Sequence, residues 1–485
     1  MSKDVRSLEP KAIWNYFEDL NAVPRGSKKE SKAVEFFRQF GREHGIDTTI
    51  DQMGNVVFRK PATKGKENSP AVILQGHMDM VHQKNADTDF DFDTQGIRSR
   101  IDGEWVRAEG TTLGADNGIG VASALAILTA DDVEHPALEV LVTVDEETGM
   151  TGAHKLDPKM LKGRILLNLD TEDENELCIG CAGGIDTLGT LKYREEKLAA
   201  QDMVGFRVTV KGLRGGHSGM DIILGRANAN KVLNRLLWGA GARYGLRLSV
   251  FDGGSLRNAI PREAYAEFAL PKGKVSGYKK HFNALAGDIK NEYKTVDPGL
   301  EILLETIDAP KKAMPEATQK ALTDALAAMP NGVFCMSPDV EGLVQTSSNM
   351  ARVEARGGRF SVSFLTRSSV DSSKMEMANA IRSTLELAGC KVEQTGGYSG
   401  WAPNPKSPVL LKMVELYKQM FRREPHVAAC HAGLECGIIG GKYPEGMDMV
   451  SFGPTIVHPH SPDEKVKIET VGRFYDFLKN VLKNL

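Results

Sequence analysis

Three short apolar runs constrain this chain most: Ala71-Val-Ile-Leu-Gln75, Leu138-Glu-Val-Leu-Val-Thr-Val144 and Arg164-Ile-Leu-Leu-Asn-Leu169. Each has the length and near-continuous apolarity of a strand covered on both faces. Between and before them lie segments with helical spacing, Ala33 to Phe40 and Ile119 to Leu128. Strand-like and helix-like runs in alternation predict an α/β layer structure with a mixed, mainly parallel central sheet.

The texture changes after about residue 186. Phe206-Arg-Val-Thr-Val210, Ala264-Tyr-Ala-Glu-Phe-Ala269 and Phe360-Ser-Val-Ser-Phe364 alternate apolar and polar residues, as half-exposed antiparallel strands do. Helices are expected near Ala227 to Leu237 and from Ser373 to Ala388. The proline-rich stretch 401–408 reads as a linker, followed by a helix near Val409 to Met420 and the strand Met449-Val-Ser-Phe452. The simplest architecture is one α/β domain, residues 1–186 and 401–485, interrupted by an inserted α+β lid domain, residues 187–400. The insertion is long enough to hold two halves, although no repeat relates them.

The bulk numbers exclude several classes. The 485 residues are 41% hydrophobic and 26% charged, with a formal net charge of -3. No basic face for nucleic acid is indicated, and no apolar stretch approaches the roughly 20 residues that cross a bilayer. The charges of Met1-Ser-Lys-Asp-Val-Arg6 have no apolar core after them, so no signal peptide is read and a cytoplasmic location is expected. Six cysteines in so long a chain are not a disulfide framework. Cys178 and Cys181 form a lone CxxC pair, and without a second pair they read as reduced thiols on a buried strand.

Five segments place acids or imidazoles just after an apolar strand or in the turn leading into a helix: His77-Met-Asp79, Asp116-Asn117, Asp145-Glu146-Glu147, Asp170 and His458-Pro-His460. Sites in open α/β sheets form outside the carboxyl ends of the strands, so all five are expected to converge there. So many carboxylates repel one another unless protonated or metal-bound. Two histidines with several carboxylates suit divalent transition metals. A co-catalytic pair of ions, about 3.5–4 Å apart, needs one bridging carboxylate. Asp116 is the natural bridge, because Gly114, Gly118 and Gly120 permit close backbone approach. Taken singly, each segment has an ordinary reading as solvated surface or a turn.

Read in order, Gln75-Gly-His77-Met-Asp79, Gly110-Thr-Thr-Leu-Gly-Ala-Asp116-Asn-Gly, Asp145-Glu-Glu147 and Asp170 resemble the M20 metallopeptidase family. Cys181-Ala-Gly-Gly-Ile-Asp186, Gly215-Gly-His-Ser-Gly219, Leu256-Arg-Asn-Ala-Ile-Pro261, His431-Ala-Gly-Leu-Glu-Cys-Gly437 and Pro459-His-Ser-Pro-Asp463 are similar, within that family, to bacterial aminoacyl-histidine dipeptidases. The resemblance runs nearly end to end. It implies a zinc-peptidase-like catalytic domain and metal-dependent hydrolysis of dipeptides, with preference for Xaa-His substrates of carnosine-like type. Two divalent ions per subunit are implied, zinc first, cobalt or manganese as alternatives. His77 and His460 each bind one ion, Asp116 bridges both, and Glu147 and Asp170 each complete one side. Asp79 orients His77, and Glu146 is the general base. His458 competes with His460, and the motif Pro-His-Ser-Pro-Asp favours His460.

The implied chemistry is attack of a metal-activated water on a peptide carbonyl, with Glu146 carrying the proton to the leaving amine. His217 resembles the histidine that stabilises the oxyanion, its alternative being a structural loop residue. Arg367 is a candidate for gripping the substrate carboxylate and Asn258 for adding a hydrogen bond, surface or turn roles being the alternatives. An inserted domain carrying these three residues would close as a lid. The expected partners are small peptides, with no nucleic acid or membrane, and a homodimer is compatible with the family. Related aminoacylase, deacetylase or tripeptidase activities stay open, as does a metal-binding protein without turnover. A serine hydrolase is disfavoured because Ser218 lies in Gly-His-Ser-Gly-Met rather than G-x-S-x-G.

Overall fold

A computed structural model describes residues 4–485. The described chain divides into two compact units, one of residues 4–180, 403–429 and 434–485, the other of residues 181–402 and 430–433. The division falls at 180/181 and 402/403, where the sequence suggested 186/187 and 400/401. The reason is the strand Gly183–Lys192, which pairs along its whole length with Arg359–Ser368 of the second unit.

The first unit is built on an eight-stranded sheet in the order Asp47–Ile50, Val56–Lys60, Leu138–Thr143, Val72–His77, Ile165–Asn168, Asp448–Ser451, Glu176–Cys181, His426–Cys430. The expected mixed sheet is present, and the four central strands, 138–143, 72–77, 165–168 and 448–451, pair in parallel. Strands 47–50 and 56–60 pair antiparallel, as do 56–60 with 138–143 and 448–451 with 176–181. Val72–His77 and Leu138–Thr143 are buried at every position, which is why they read as unbroken apolar runs. The helix Ala115–Thr129 is buried on nearly all sides, and its Ala-rich sequence lets neighbours approach closely. The closing helix Ile468–Asn484 instead buries one stripe, including Val471, Phe474, Leu478 and Val481. Burial of each such side chain stabilises by about 1.5–3 kcal/mol before entropy is counted.

A separate four-stranded antiparallel sheet joins Ile456–Val457, Lys465–Lys467, Trp105–Ala108 and Ser99–Asp102. His458-Pro-His460 therefore follows a two-residue strand of this small sheet, not a strand of the central one as the sequence suggested.

The second unit is one continuous antiparallel sheet of nine strands rather than two halves. Eight run in the order Glu301–Ile307, Met203–Lys211, Ala264–Pro271, Arg247–Gly254, Val344–Arg356, Arg359–Ser368, Gly183–Lys192, Lys391–Tyr398, and Gly332–Met336 adds to Val344–Arg356. Phe206, Val208 and Val210 alternate inward and meet Val232 and Leu236 of helix Ala229–Leu237 in one core. Ile381 and Leu385 of helix Asp371–Leu387 belong to the same core. No helix among the described residues is long and apolar enough to cross a membrane.

Candidate metal centre

The carboxyl ends of the central strands deliver the first candidate ligands. His77 is the last residue of its strand and 1% exposed. Its Nδ1 faces Asp79, 3.3 Å from Oδ1 and 3.2 Å from the main-chain oxygen. Donation of Nδ1–H there leaves Nε2 as the nitrogen open to a cation. That Nε2 lies 3.1 Å from Asp116 Oδ1 and 3.4 Å from Asp170 Oδ1. Asp79 is fully buried, and its two oxygens also accept the backbone N–H groups of Glu146, at 3.0 Å, and Glu147, at 3.3 Å. Asp145 has left-handed backbone (φ 52°), which turns the chain sharply off its strand into the short helix Glu146–Gly149. Consecutive helical residues point about 100° apart, so Glu146 and Glu147 face different ways.

Asp116 sits at the mouth of helix Ala115–Thr129, after Gly114 in a left-handed conformation (φ 73°). A Cβ at Gly114 would collide with the Arg25 guanidinium. The Asp116–Asn117 peptide bond is cis. Asp116 Oδ2 lies 3.1 Å from His460 Nε2, which is itself 2.9 Å from Glu147 Oε2. Two groups result, His77/Asp116/Asp170 and Asp116/Glu147/His460, each with its ligating atoms within 4.8 Å of one another. Asp116 gives one oxygen to each. His458 belongs to neither and is exposed. Glu146 joins a third group with His77 and Glu147.

The electrostatics show what such a cluster needs. Burial, then the neighbouring Asp116 and Glu147, push the Asp170 carboxyl up to about 6 against the attraction of His77. Burial also raises Glu146 well above the usual carboxylate range, with Asp170, Glu435 and Glu147 adding to it. Hydrogen bonds to Asp116 and Glu147 hold the His460 imidazole at about 11. Burial opposes the proton on His77, but Asp170, Asp116 and Asp79 outweigh it and raise that ring well above 6.5. The acids thus draw positive charge onto both histidines. Among the described residues, no hydrogen-bond donor meets the buried Glu147 Oε1 or Asp170 Oδ1. Unpaired carboxylate oxygens beside two imidazoles are the donor set of a divalent nitrogen–oxygen site, and the residues fit a pair of such ions.

Other sequence candidates lie in the second unit. His217 pairs with Ala259 in a two-stranded ladder, and the Asn258 carbonyl accepts the N–H of Ser218 at 2.8 Å. His217 Nδ1 accepts the N–H groups of Gly219 and Met220, at 3.2 and 3.1 Å. The neutral ring therefore carries its proton on Nε2. Burial and Arg367 lower its pKa, favouring that neutral form. Arg367 is 5% exposed and donates to the Tyr398 hydroxyl at 3.2 Å. No described carboxylate lies within 4 Å of its guanidinium, and its Nε has no acceptor. Cys178 and Cys181 are buried three residues apart on one strand, hence on opposite faces. Neither belongs to a described group able to share a cation.

Sequence reasoning missed the groups beneath the centre. Arg25, 1% exposed, donates to the carbonyls of Met78, Asp79 and Gly114 and to Asn21. Glu464, 2% exposed, accepts the N–H groups of Leu113, Gly114, Ala115 and Asp116. Glu435 accepts from Gln75 and Thr143, both at 2.6 Å, and burial pushes its carboxyl up to about 8. Only Glu464 carried a signal, standing four residues beyond His460.

Comparison with known proteins matches the chain to a family. The model of peptidase family M20/M25/M40 matches residues 73–484. The cytosol non-specific dipeptidase of Escherichia coli K12 is 44% identical over 482 residues, 99% of each chain. The crystal structure of aminoacylhistidine dipeptidase from Vibrio alginolyticus, also 44% identical, aligns with a TM-score of 0.95 over 100% of this chain and 98% of that one. Aminopeptidase PepT from Bacillus cereus shares the fold at 15% identity and a TM-score of 0.56, over 98% of each chain. The chain therefore belongs to peptidase family M20/M25/M40 and is a peptide hydrolase.

Proposed function

We propose that this protein is a cytosolic metallo-dipeptidase that uses two divalent ions, zinc first among them, and that Xaa-His dipeptides are among its substrates. The observation that carries the metal reading is the split carboxylate of Asp116, one oxygen toward His77 and the other toward His460. His77, Asp116 and Asp170 would hold one ion, and Asp116, Glu147 and His460 the other. When bound, such a pair lowers the pKa of water and polarises a carbonyl.

The chain's own residues do the rest. Asp79 holds the proton of His77 on Nδ1 and fixes the ring. Glu146 takes a proton from the attacking water and delivers it to the leaving amine nitrogen. His217 offers Nε2–H to the developing oxyanion. Arg367, buried without an acid, receives the free carboxylate that distinguishes a dipeptide from a longer internal sequence. Asn258 adds a hydrogen bond to the bound substrate.

The substrate reading rests on two relatives at equal identity, one named for aminoacylhistidine substrates and the other for broad dipeptide hydrolysis. The test is metal analysis of the purified protein together with a substrate panel. Two zinc equivalents per chain, loss of hydrolysis on chelation and recovery on adding zinc are expected. Xaa-His dipeptides should be cleaved, and N-acyl amino acids and tripeptides should not. Hydrolysis indifferent to chelators would remove the metal reading. Cleavage of N-acyl amino acids alone would replace the dipeptidase with an aminoacylase.

A further inference from the structure

Outside the ligands, one side chain makes an unusual set of contacts. The Glu464 carboxylate accepts four consecutive backbone N–H groups. Oε2 takes Leu113 at 2.7 Å and Gly114 at 3.0 Å, and Oε1 takes Ala115 at 2.7 Å and Asp116 at 3.2 Å. Left-handed Gly114 before the helix aims these N–H groups at one point, a backbone nest that binds anions. The acid comes from about 350 residues away in sequence, and it arrives in the same short turn as His460. That turn is closed by Ser461, whose hydroxyl donates to the His458 carbonyl at 2.8 Å and whose carbonyl accepts the Glu464 N–H at 3.0 Å. On the other side of the loop, Arg25 ties the Gly114 carbonyl, at 2.6 Å, to the carbonyls of Met78 and Asp79, both at 3.1 Å.

We propose that Glu464 is a positioning residue that clamps the 113–116 loop to the His460 turn, and so sets the affinity of the ion held between Asp116, Glu147 and His460. This rests on the two-ion reading above. Asp116 reaches His77 from a loop that Arg25 still anchors to the His77–Asp79 turn. It reaches His460 across two loops that Glu464 holds together. Removal of the Glu464 charge should therefore loosen the His460 side and leave the His77 side largely intact. Groups that support metal ligands from behind typically change affinity by roughly 10- to 100-fold.

The experiment titrates zinc alone into metal-free wild-type protein and Glu464→Gln. Gln keeps the size, but its NH2 faces backbone donors that it cannot accept. The wild type should bind two equivalents. In Glu464→Gln one equivalent should bind as before and the second should weaken by at least 10-fold or vanish. Val481→Ala, in the core helix Ile468–Asn484, is the control for general destabilisation and should retain both. If Glu464→Gln does not accumulate folded, Glu464→Asp, which draws the carboxylate back by one methylene, should show the same selective weakening. Two ions bound with unchanged affinity, or equal weakening of both, would overturn the assignment while the two-ion reading stands. A wild type that takes up no zinc would overturn that reading itself, and this inference with it.

Discussion

The Asp79 carboxylate accepts the backbone N–H of Glu146 at 3.0 Å while facing His77 Nδ1 at 3.3 Å. One buried acid thus positions both a proposed ligand and the backbone of the proposed base. In Asp79→Asn only one oxygen remains to accept, so the His77 proton and the two turn N–H groups compete for it. We expect zinc affinity to fall by roughly 10- to 100-fold, with kcat falling as well. Competition with a chromophoric chelator measures the first. Unaltered affinity would show that Asp79 does not act through His77.

Glu146→Gln should separate chemistry from metal binding. The variant keeps the shape of the side chain and lacks the base, so both ions should stay while kcat drops by roughly 100- to 10,000-fold. Metal content and kcat, measured on the same preparation, decide it. A variant with near-normal turnover would remove Glu146 from proton transfer.

The legible parts of this molecule are those whose cause is local. His77, Asp170 and the Asp145–Glu147 turn stand just beyond apolar strands, and a strand buried on both faces announces itself as an unbroken apolar run. Asp116 is marked by the glycines around it. The small sheet that carries His460 was invisible, because strands of two to four residues leave no period to read. Arg25 was hidden for another reason, and Glu464 was marked only by standing four residues beyond His460. Apart from the Asn21 side chain that Arg25 also meets, their partners are backbone groups, which every residue has, so little in the partner sequences records the contact. The continuity of the second unit's sheet was likewise hidden. Pairing between Gly183–Lys192 and Arg359–Ser368 spans a long stretch of chain, and local alternation predicts strands without predicting their neighbours.

Arg367 offers a test of substrate recognition that does not involve the ions. A buried guanidinium whose described partner is the Tyr398 hydroxyl has desolvation left to offset, and a substrate carboxylate would supply the charge. A charge-assisted hydrogen bond contributes about 1.5–3 kcal/mol, so Arg367→Met should raise KM for dipeptides by roughly 10- to 150-fold. Dipeptide amides lack the carboxylate and should be poor substrates for the wild type, with little further loss in the variant. An equal loss on both substrates would assign Arg367 a structural role.

His431 predicts a pH dependence of stability that is separate from the ions. It is buried, with Nε2 2.7 Å from Ser347 Oγ, and burial followed by the nearby Arg367 charge pushes its pKa down to about 3 from 6.5. A depressed pKa means that the unfolded chain binds a proton the folded chain refuses. The stabilisation is therefore fully present above pH 6.5 and is lost progressively as pH falls from 6.5 toward 3. Its slope approaches about 1.4 kcal/mol per pH unit. His431→Gln keeps a polar side chain without that titration. Denaturant unfolding of both proteins, metal-free, at pH 7 and pH 5 should show the stability gap between wild type and variant shifting by about 2 kcal/mol in the variant's favour at the lower pH. Subtracting one protein from the other cancels the acids and histidines of the metal centre, which both retain. A gap that is the same at the two pH values would mean that His431 is protonated as readily in the folded chain as in the unfolded one.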